Sequence, residues 1–393
     1  MTRILFAGGG TAGHVFPALA VARALTAISP EIEPVFVGTR DRLEDRLVPA
    51  AGFRMHHVDA LPLPRRLSPG LLRVPGGLRA AVRRCEEIAR SEGAVGAVTF
   101  GGYVSFPVSW AASRLDLPLV VHEQNAVPGL ANRFAGRWAS RIAVTFPGSA
   151  DRFARPDRVV VTGNPVRDEI LALDVEARRG EARQRFGLKS DLTTVLVFGG
   201  SQGARSLNRA VVRSYGLWSA PGQLQILHAA GANLYGEAAA GWERARAQGS
   251  GPLVRCVDFI DDMGDAYAAA DVVVCRAGAT SIAELTALGK PSVLVPYPHA
   301  TRDHQMHNAR ALAQVGGAQV IEDGDLTARR LVDAVEPWIA DAAAGRSAAD
   351  AARAFGRRDA AEQVARLVLD VLHGPVPMPT PGAAPPPDEE GQP

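Results

Sequence analysis

The chain has 393 residues, too many for one ordinary domain and enough for two sizeable ones. Its 47% hydrophobic and 21% charged residues support two cores and exclude a disordered chain. A formal charge of +2 with 6% aromatics argues against a nucleic-acid binder that relies on a broad basic surface and stacking rings.

Short apolar runs alternate with helical patterns almost throughout, the signature of parallel sheets built from strand–helix–strand units. Strands are predicted at 3–7, 34–37, 54–58, 96–100, 119–122, 141–145 and 159–162, with a helix over 78–91. The stretch 4–22 is uncharged, but His14 and the string GGGTAGH break the apolar core that a leader peptide needs. Residues 93–113 are also uncharged and long enough to span a bilayer. Gly101, Gly102, Ser105 and Pro107 make them read instead as strand, glycine loop and helix, so any membrane contact is expected to be peripheral. GNPVR at 163–167 marks a turn or hinge. A second series of strands follows at 194–198, 224–228, 254–259, 272–275, 292–295 and 318–321. After Asp325 the chain reads as helical to about His373, and the proline-rich stretch 374–393 is expected to be disordered. The fold class is therefore α/β with two doubly wound domains. Cys85, Cys256 and Cys275 are odd in number and far apart, which excludes a disulfide framework and a zinc-type spacing and fits a reducing cytoplasm. Arginine far outnumbers lysine (Lys189 and Lys290 are the only lysines), which reads as compositional bias.

Three glycine loops carry the chemistry. Gly8-Gly9-Gly10-Thr11-Ala12-Gly13-His14 follows a strand and enters a helix, with Pro17 expected in its first turn. Small residues let the backbone approach a ligand, and exposed N–H groups at a helix start favour an anion. The spacing Gly8-x-Gly10-x-x-Gly13 also fits a dinucleotide fingerprint, so an NAD or FAD site competes, although no acidic residue ends the next strand. His14 sits where open α/β sheets bind ligands. It reads as a candidate general base, or as a residue that only binds phosphate or holds the loop. Gly101-Gly102-Tyr103 repeats the design at the same sheet edge and could complete a diphosphate cradle. Gly199-Gly200-Ser201-Gln202-Gly203 repeats it in the other domain. Two anion sites on one cleft suit a nucleotide-sugar transferase better than a dehydrogenase.

GGGTAGH, GGYVSFP, HEQNAVPG, GNPVR, GGSQGA, FIDDM, CRAGATSIAE and the Asp303-His304-Gln305…Asn308-Ala309 stretch occur in that order. Together they resemble the MurG family of glycosyltransferases over residues 3–355. The resemblance implies a GT-B architecture: two Rossmann-like doubly wound domains with an interdomain cleft. It implies an N-terminal acceptor and membrane-side domain at 1–162 and a donor domain at 163–345. A helical segment at 346–373 would return toward the first domain. The implied reaction moves N-acetylglucosamine from UDP-N-acetylglucosamine to the 4-hydroxyl of the muramyl sugar of lipid I, with inversion, giving lipid II for peptidoglycan. Cell-wall synthesis, cell shape, division and the cell cycle follow from that role. So do a peripheral place on the cytoplasmic face of the membrane and possible contacts with other cell-wall proteins.

Carried onto this sequence, the resemblance gives Ser201 to the donor's diphosphate, the Ile260 backbone to uracil, and Ala279 and Thr280 to phosphate at a helix start. Glu284 would accept both ribose hydroxyls, Gln305 would hold sugar hydroxyls and Arg167 would lie near the phosphates. From the first domain, Thr11, Ala12, Gly13 and Asn125 would reach the sugar. His14 would be the catalytic base, and Gly10, Gly13, Gly102 and Tyr103 would line the acceptor diphosphate. Ala12 and Phe106 stand where the family often has glycine, and the bulk of Phe106 bears on the shape of the second cradle.

Asp323-Gly324-Asp325 matches a carboxylate pair used for divalent cations, but reads more plainly as a turn and a cap for a helix from Leu326. Asp261-Asp262 reads as a loop or cap. No protein-bound metal and no tightly bound cofactor are expected. Residues 60–85 hold six arginines and no carboxylate. Arg65, Arg66, Leu71, Leu72 and Arg73 in that stretch form a candidate membrane patch or a solvated loop with core leucines. Alternatives are another GT-B enzyme (a natural-product glycosyltransferase or a UDP-N-acetylglucosamine 2-epimerase) and a non-catalytic sugar-nucleotide-binding scaffold.

Overall fold

The computed structural model describes residues 1–59, 74–200 and 202–373. Ser201, the candidate membrane residues Arg65, Arg66, Leu71, Leu72 and Arg73, and the tail 374–393 lie outside the described residues.

Each strand series forms one all-parallel sheet. The first contains β1 (Thr2–Ala7), β2 (Ile32–Gly38), β3 (Arg54–His57), β4 (Ala94–Thr99), β5 (Leu119–Glu123), β6 (Arg141–Val144) and β7 (Val159–Val161). Its order is β3-β2-β1-β4-β5-β6-β7. The second contains β8 (Thr193–Phe198), β9 (Leu224–Ala229), β10 (Leu253–Val257), β11 (Val272–Cys275), β12 (Ser292–Leu294) and β13 (Ala318–Val320), in the order β10-β9-β8-β11-β12-β13. Every predicted strand is present, with ends within two residues. Continuous apolar runs such as VLVF in β8 are buried on both faces, which is why they read so clearly.

Helices cover both faces of each sheet, giving four apolar clusters, two per sheet. The helix Ala342–Phe355 contributes Ala352 to the second sheet's cluster. The final helix, Ala360–His373, crosses back: Val364, Leu367 and Val368 join Ile4, Phe6, Val15 and Leu25 beside the first sheet. A Cβ on Gly96 in β4 would lie 2.9 Å from Leu372 of that helix. The two chain crossings between the sheets are neighbours. Gly163 (φ 88°) lies against Arg357, and its carbonyl is 3.0 Å from Nε2 of the buried His122 at the end of β5.

Both sheet orders reverse direction once, between β1 and β4 and between β8 and β11. Ligands in open α/β sheets bind outside the carboxyl ends of the strands at that switch point. The loops there are 8–13 and 101–103 in the first sheet and 199–203 and 276–278 in the second. The topology alone therefore brings the three glycine loops and the start of the helix Ala279–Leu288 to the switch points.

Candidate active site

The first loop is pinned by a carboxylate that the sequence reading missed. Glu44, 1% exposed on the helix Leu43–Ala50, accepts the Gly10 N–H at 2.9 Å. It also accepts the Thr39 hydroxyl at 2.7 Å and the Thr39 N–H at 3.3 Å. The Gly10 N–H is thus committed inside the protein. A phosphate approaching this loop would meet Ala12 and Gly13, whose N–H groups in the first turn of the helix Ala12–Ile28 have no intrahelical acceptor. Pro17 stands in the second turn of that helix, not the first, and has no N–H to return to the Gly13 carbonyl.

The second loop lies directly on the first. Gly101 and Gly102 have φ of 92° and 87°, and a Cβ on Gly102 would overlap the Gly9 carbonyl oxygen. Only glycine fits such an approach. Ser105 is buried and donates to the Ala7 carbonyl at 2.9 Å and the Gly101 carbonyl at 2.6 Å, locking the turn. Phe106 turns away from the cradle, so its bulk does not shape it. Its ring packs 5.9 Å from both Trp110 and Trp138 and 6.2 Å from Phe134. Tyr103 is 49% exposed beside Gly10.

His14 is half-buried between these loops. Its Nδ1 is 3.0 Å from the Gly9 carbonyl and 3.1 Å from the Thr11 hydroxyl. A carbonyl only accepts, so Nδ1 carries the proton and Nε2 keeps a lone pair. Nε2 faces Gly101, where a Cβ would come within 3.0 Å. Burial lowers the His14 pKa, against the Gly9 hydrogen bond and the Glu44 charge, which raise it. The ring is neutral at pH 7 and can accept a proton.

The second domain meets this centre at the helix Ala279–Leu288. A Cβ on Gly13 would lie 3.6 Å from Thr280 Oγ1, so two helix N-termini oppose each other across the cleft. The Thr280 hydroxyl oxygen is buried without a protein partner. Two positive helix ends converging on one gap favour an anion between them.

Glu284, 4% exposed on the same helix, is more engaged than expected. Its Oε1 accepts from Arg167 Nη2 at 2.7 Å and Nε at 3.0 Å, and its Oε2 accepts from the Tyr267 hydroxyl at 2.9 Å. Of roughly four acceptor positions on a carboxylate, three are taken, leaving room for one ribose hydroxyl rather than two. Arg167 also stacks 4.8 Å from the Phe16 ring of the first domain, so in this structure it serves Glu284 and the domain contact.

Asn125 is held as well. Buried Glu123 takes its N–H at 2.9 Å, and its side-chain oxygen accepts from Asn308 at 3.1 Å across the cleft. Asn308 also accepts the Ala126 N–H at 2.8 Å, forming a latch between the domains. Gln305 accepts the Tyr297 N–H at 2.9 Å, which leaves its amide N–H groups to donate. The Ile260 side chain is buried in the second core, so a ligand would meet its backbone. Asp323 is paired with Arg276 at 2.6 Å and accepts the Ser206 hydroxyl at 2.6 Å. The helix start that the Asp323-Gly324-Asp325 turn was expected to cap is capped by Thr327, while Asp262 does cap its helix. Among the described residues, no group of three or more His, Cys, Asp or Glu is placed to hold a metal ion. No helix among them is long and apolar enough to cross a membrane.

Residues 4–144 match the N-terminal domain of glycosyltransferase family 28, and residues 194–364 match its C-terminal domain. A UDP-N-acetylglucosamine–N-acetylmuramyl-(pentapeptide) pyrophosphoryl-undecaprenol N-acetylglucosamine transferase from Nocardioides sp. is 45% identical over 369 residues, covering 94% of this chain and 98% of its own. The crystal structure of Acinetobacter baumannii MurG superposes with a TM-score of 0.75 at 27% identity, covering 94% of this chain and all of its own. The chain belongs to the MurG family. Its fold is GT-B. A Neisseria meningitidis UDP-GlcNAc 2-epimerase shares that fold (TM-score 0.69, covering 94% of this chain and 100% of its own) at only 12% identity.

Proposed function

We propose that this MurG-family chain is an inverting glycosyltransferase that moves N-acetylglucosamine from UDP-N-acetylglucosamine to the C4 hydroxyl of lipid I. Residues 1–162 form the acceptor side and 163–345 the donor side. The observation that carries the reading is the pair of opposed helix N-termini, at Ala12-Gly13 and Ala279-Thr280, with the basic Nε2 of His14 beside them.

In this reading His14 Nε2 takes the proton of the acceptor hydroxyl as its oxygen attacks the anomeric carbon from the face opposite UDP. The bond to UDP breaks, and the sugar inverts to a β-linkage. Charge growing on the departing diphosphate meets the N–H groups of Ala279 and Thr280 and the Thr280 hydroxyl. Ser201 serves the donor's diphosphate, and the Ile260 backbone and the remaining acceptor site of Glu284 hold the nucleoside; Gln305, Asn125 and Thr11 hold the sugar. Arg167 holds Glu284 in place. Gly13, Gly102 and Tyr103 face the acceptor's diphosphate. An epimerase would need acid and base carboxylates open to the cleft, whereas Glu44, Glu123 and Glu284 are buried and hydrogen-bonded to the protein.

The acceptor carries a lipid, so the enzyme works at the cytoplasmic membrane surface. The patch around Phe106, Trp110, Phe134 and Trp138, with Leu130 and Phe134 about half exposed and Arg133 and Arg137 beside them, supports peripheral docking.

The test mixes UDP-N-acetylglucosamine with a lipid I analogue. A disaccharide product is expected. Its absence in a complete assay, with UDP still bound, would favour a non-catalytic scaffold.

A further inference from the structure

The amino ends of β8, β11 and β12 point away from the cleft and border a second cavity of about 760 Å³, walled also by the helices Val175–Arg185 and Ala342–Phe355. Its charges are unevenly matched: six cationic side chains line it against four acidic ones.

Lys290 is the centre of this imbalance. It is 5% exposed and donates to the Ala270 carbonyl at 2.6 Å, which completes the end of the helix Met263–Ala269. That accounts for one of three ammonium protons. Among the described residues, Lys290 has no carboxylate within ion-pair distance. The acid whose charge acts on it most, Asp271, is already shared by Arg183 at 2.7 Å and Arg179 at 3.5 Å, and it accepts the Thr194 N–H at 2.7 Å. Three cations, two on the helix Val175–Arg185 and one just before β12, therefore face the committed Asp271, and Arg179 also pairs with Glu176 at 2.9 Å. Arg179 Nε is itself buried without a partner. A buried ammonium with no counter-ion is costly, and burial pushes the Lys290 amine down to about 8.

From these observations we infer that the cavity beneath the second sheet is a binding site for a phosphate-bearing small molecule, held by Lys290 and Arg179 inside and by Arg346 at the exposed rim. Guanidinium groups suit the oxygens of a phosphate, and the volume accommodates more than a bare ion. The site is separate from the cleft and does not rest on the transferase reading.

Calorimetric titration of the full chain with inorganic phosphate, and in a second arm with uridine monophosphate, tests this. Three proteins are compared: the natural chain, Arg346→Gln and Lys290→Met. Losing the inner cation should weaken binding roughly tenfold, and losing the rim cation should weaken it about threefold. Binding by inorganic phosphate identifies the free ion as sufficient; binding of the nucleotide alone, still dependent on Lys290, identifies an organic phosphate.

A second readout stands if Lys290→Met does not fold. Phosphate should slow amine acylation of Lys290 in the natural chain, while the exposed Lys189 reacts at an unchanged rate and serves as internal control. The inference is overturned if all three proteins titrate alike. Detecting no heat and no protection of Lys290 in either arm would also overturn it.

Discussion

Replacing His14 by asparagine separates the two jobs its ring performs. An asparagine amide keeps an N–H within reach of the Gly9 carbonyl, where Nδ1 now lies at 3.0 Å, but it has nothing at the position of Nε2. The tether stays and the base goes. A positioned general base contributes about 10²–10⁴ in rate. That corresponds to about 3–5 kcal/mol of transition-state stabilisation at 1.36 kcal/mol per decade. Transfer of radiolabelled N-acetylglucosamine to a soluble lipid I analogue should show kcat lower by that factor, with donor affinity nearly unchanged. The pH profile adds an independent constraint. The active ring is neutral, and burial sets its pKa below the ordinary value of about 6.5. The natural enzyme's rate should therefore be level through neutrality and fall as pH drops through that lowered pKa. The limb should vanish in the asparagine variant. If His14→Asn kept kcat within about threefold, or retained the same acid limb, the ring would only hold the loop and the base would have to be sought elsewhere.

The buried His122 and His228 both have pKa values pushed down to about 4 by burial. His228 accepts from Trp242 Nε1 at 3.0 Å on one nitrogen and lies 3.1 Å from Asn208 Oδ1 on the other, so protonation would break a satisfied pair. The unfolded chain takes up these protons first, so stability present above about pH 6.5 is lost as pH falls toward 4, by about 3 kcal/mol for each histidine. Denaturant titrations across that range should show the decline, and a flat profile would contradict it. Gly102→Ala adds a Cβ against the Gly9 carbonyl at a positive φ, and should cost about 2 kcal/mol or more in thermal unfolding and abolish transfer. Asp323→Asn should cost about 1–3 kcal/mol by weakening the Arg276 pair, while a chelator leaves transfer unchanged. A stable but inactive Asp323→Asn enzyme would revive the cation site.

The fold was legible because parallel strands buried on both faces appear as unbroken apolar runs, and those at the switch points, β1, β4 and β8, run straight into glycine loops. The loops were legible because only glycine tolerates the approach that Gly101 and Gly102 make to their neighbours. What escaped notice depends on partners distant in sequence. Glu44 holds a glycine 34 residues away, and Asn308 meets Asn125 from 183 residues away. No local pattern announces either contact. Phe106 was misleading for a different reason. One step along a helix turns a side chain through about 100°, so with Ser105 locked inward its neighbour points out of the cradle toward Trp110 and Trp138.

One construction rule explains both the missed residues and the choice among enzyme classes. Three of the elements bearing on the cleft are fixed by a buried carboxylate. Glu44 secures the His14 loop, Glu123 secures the Asn125 loop through Asn125, Gly129 and Asn132, and Glu284 secures Arg167 and Tyr267. Burial raises the Glu123 pKa, while four hydrogen bonds from its own loop and the adjacent helix favour its charged form. Carboxylates spent in this way position loops but do not exchange protons with substrate. That leaves an imidazole nitrogen and backbone N–H groups facing the gap between the domains. One unpartnered base set beside two helix ends is the equipment for deprotonating a hydroxyl while a diphosphate departs.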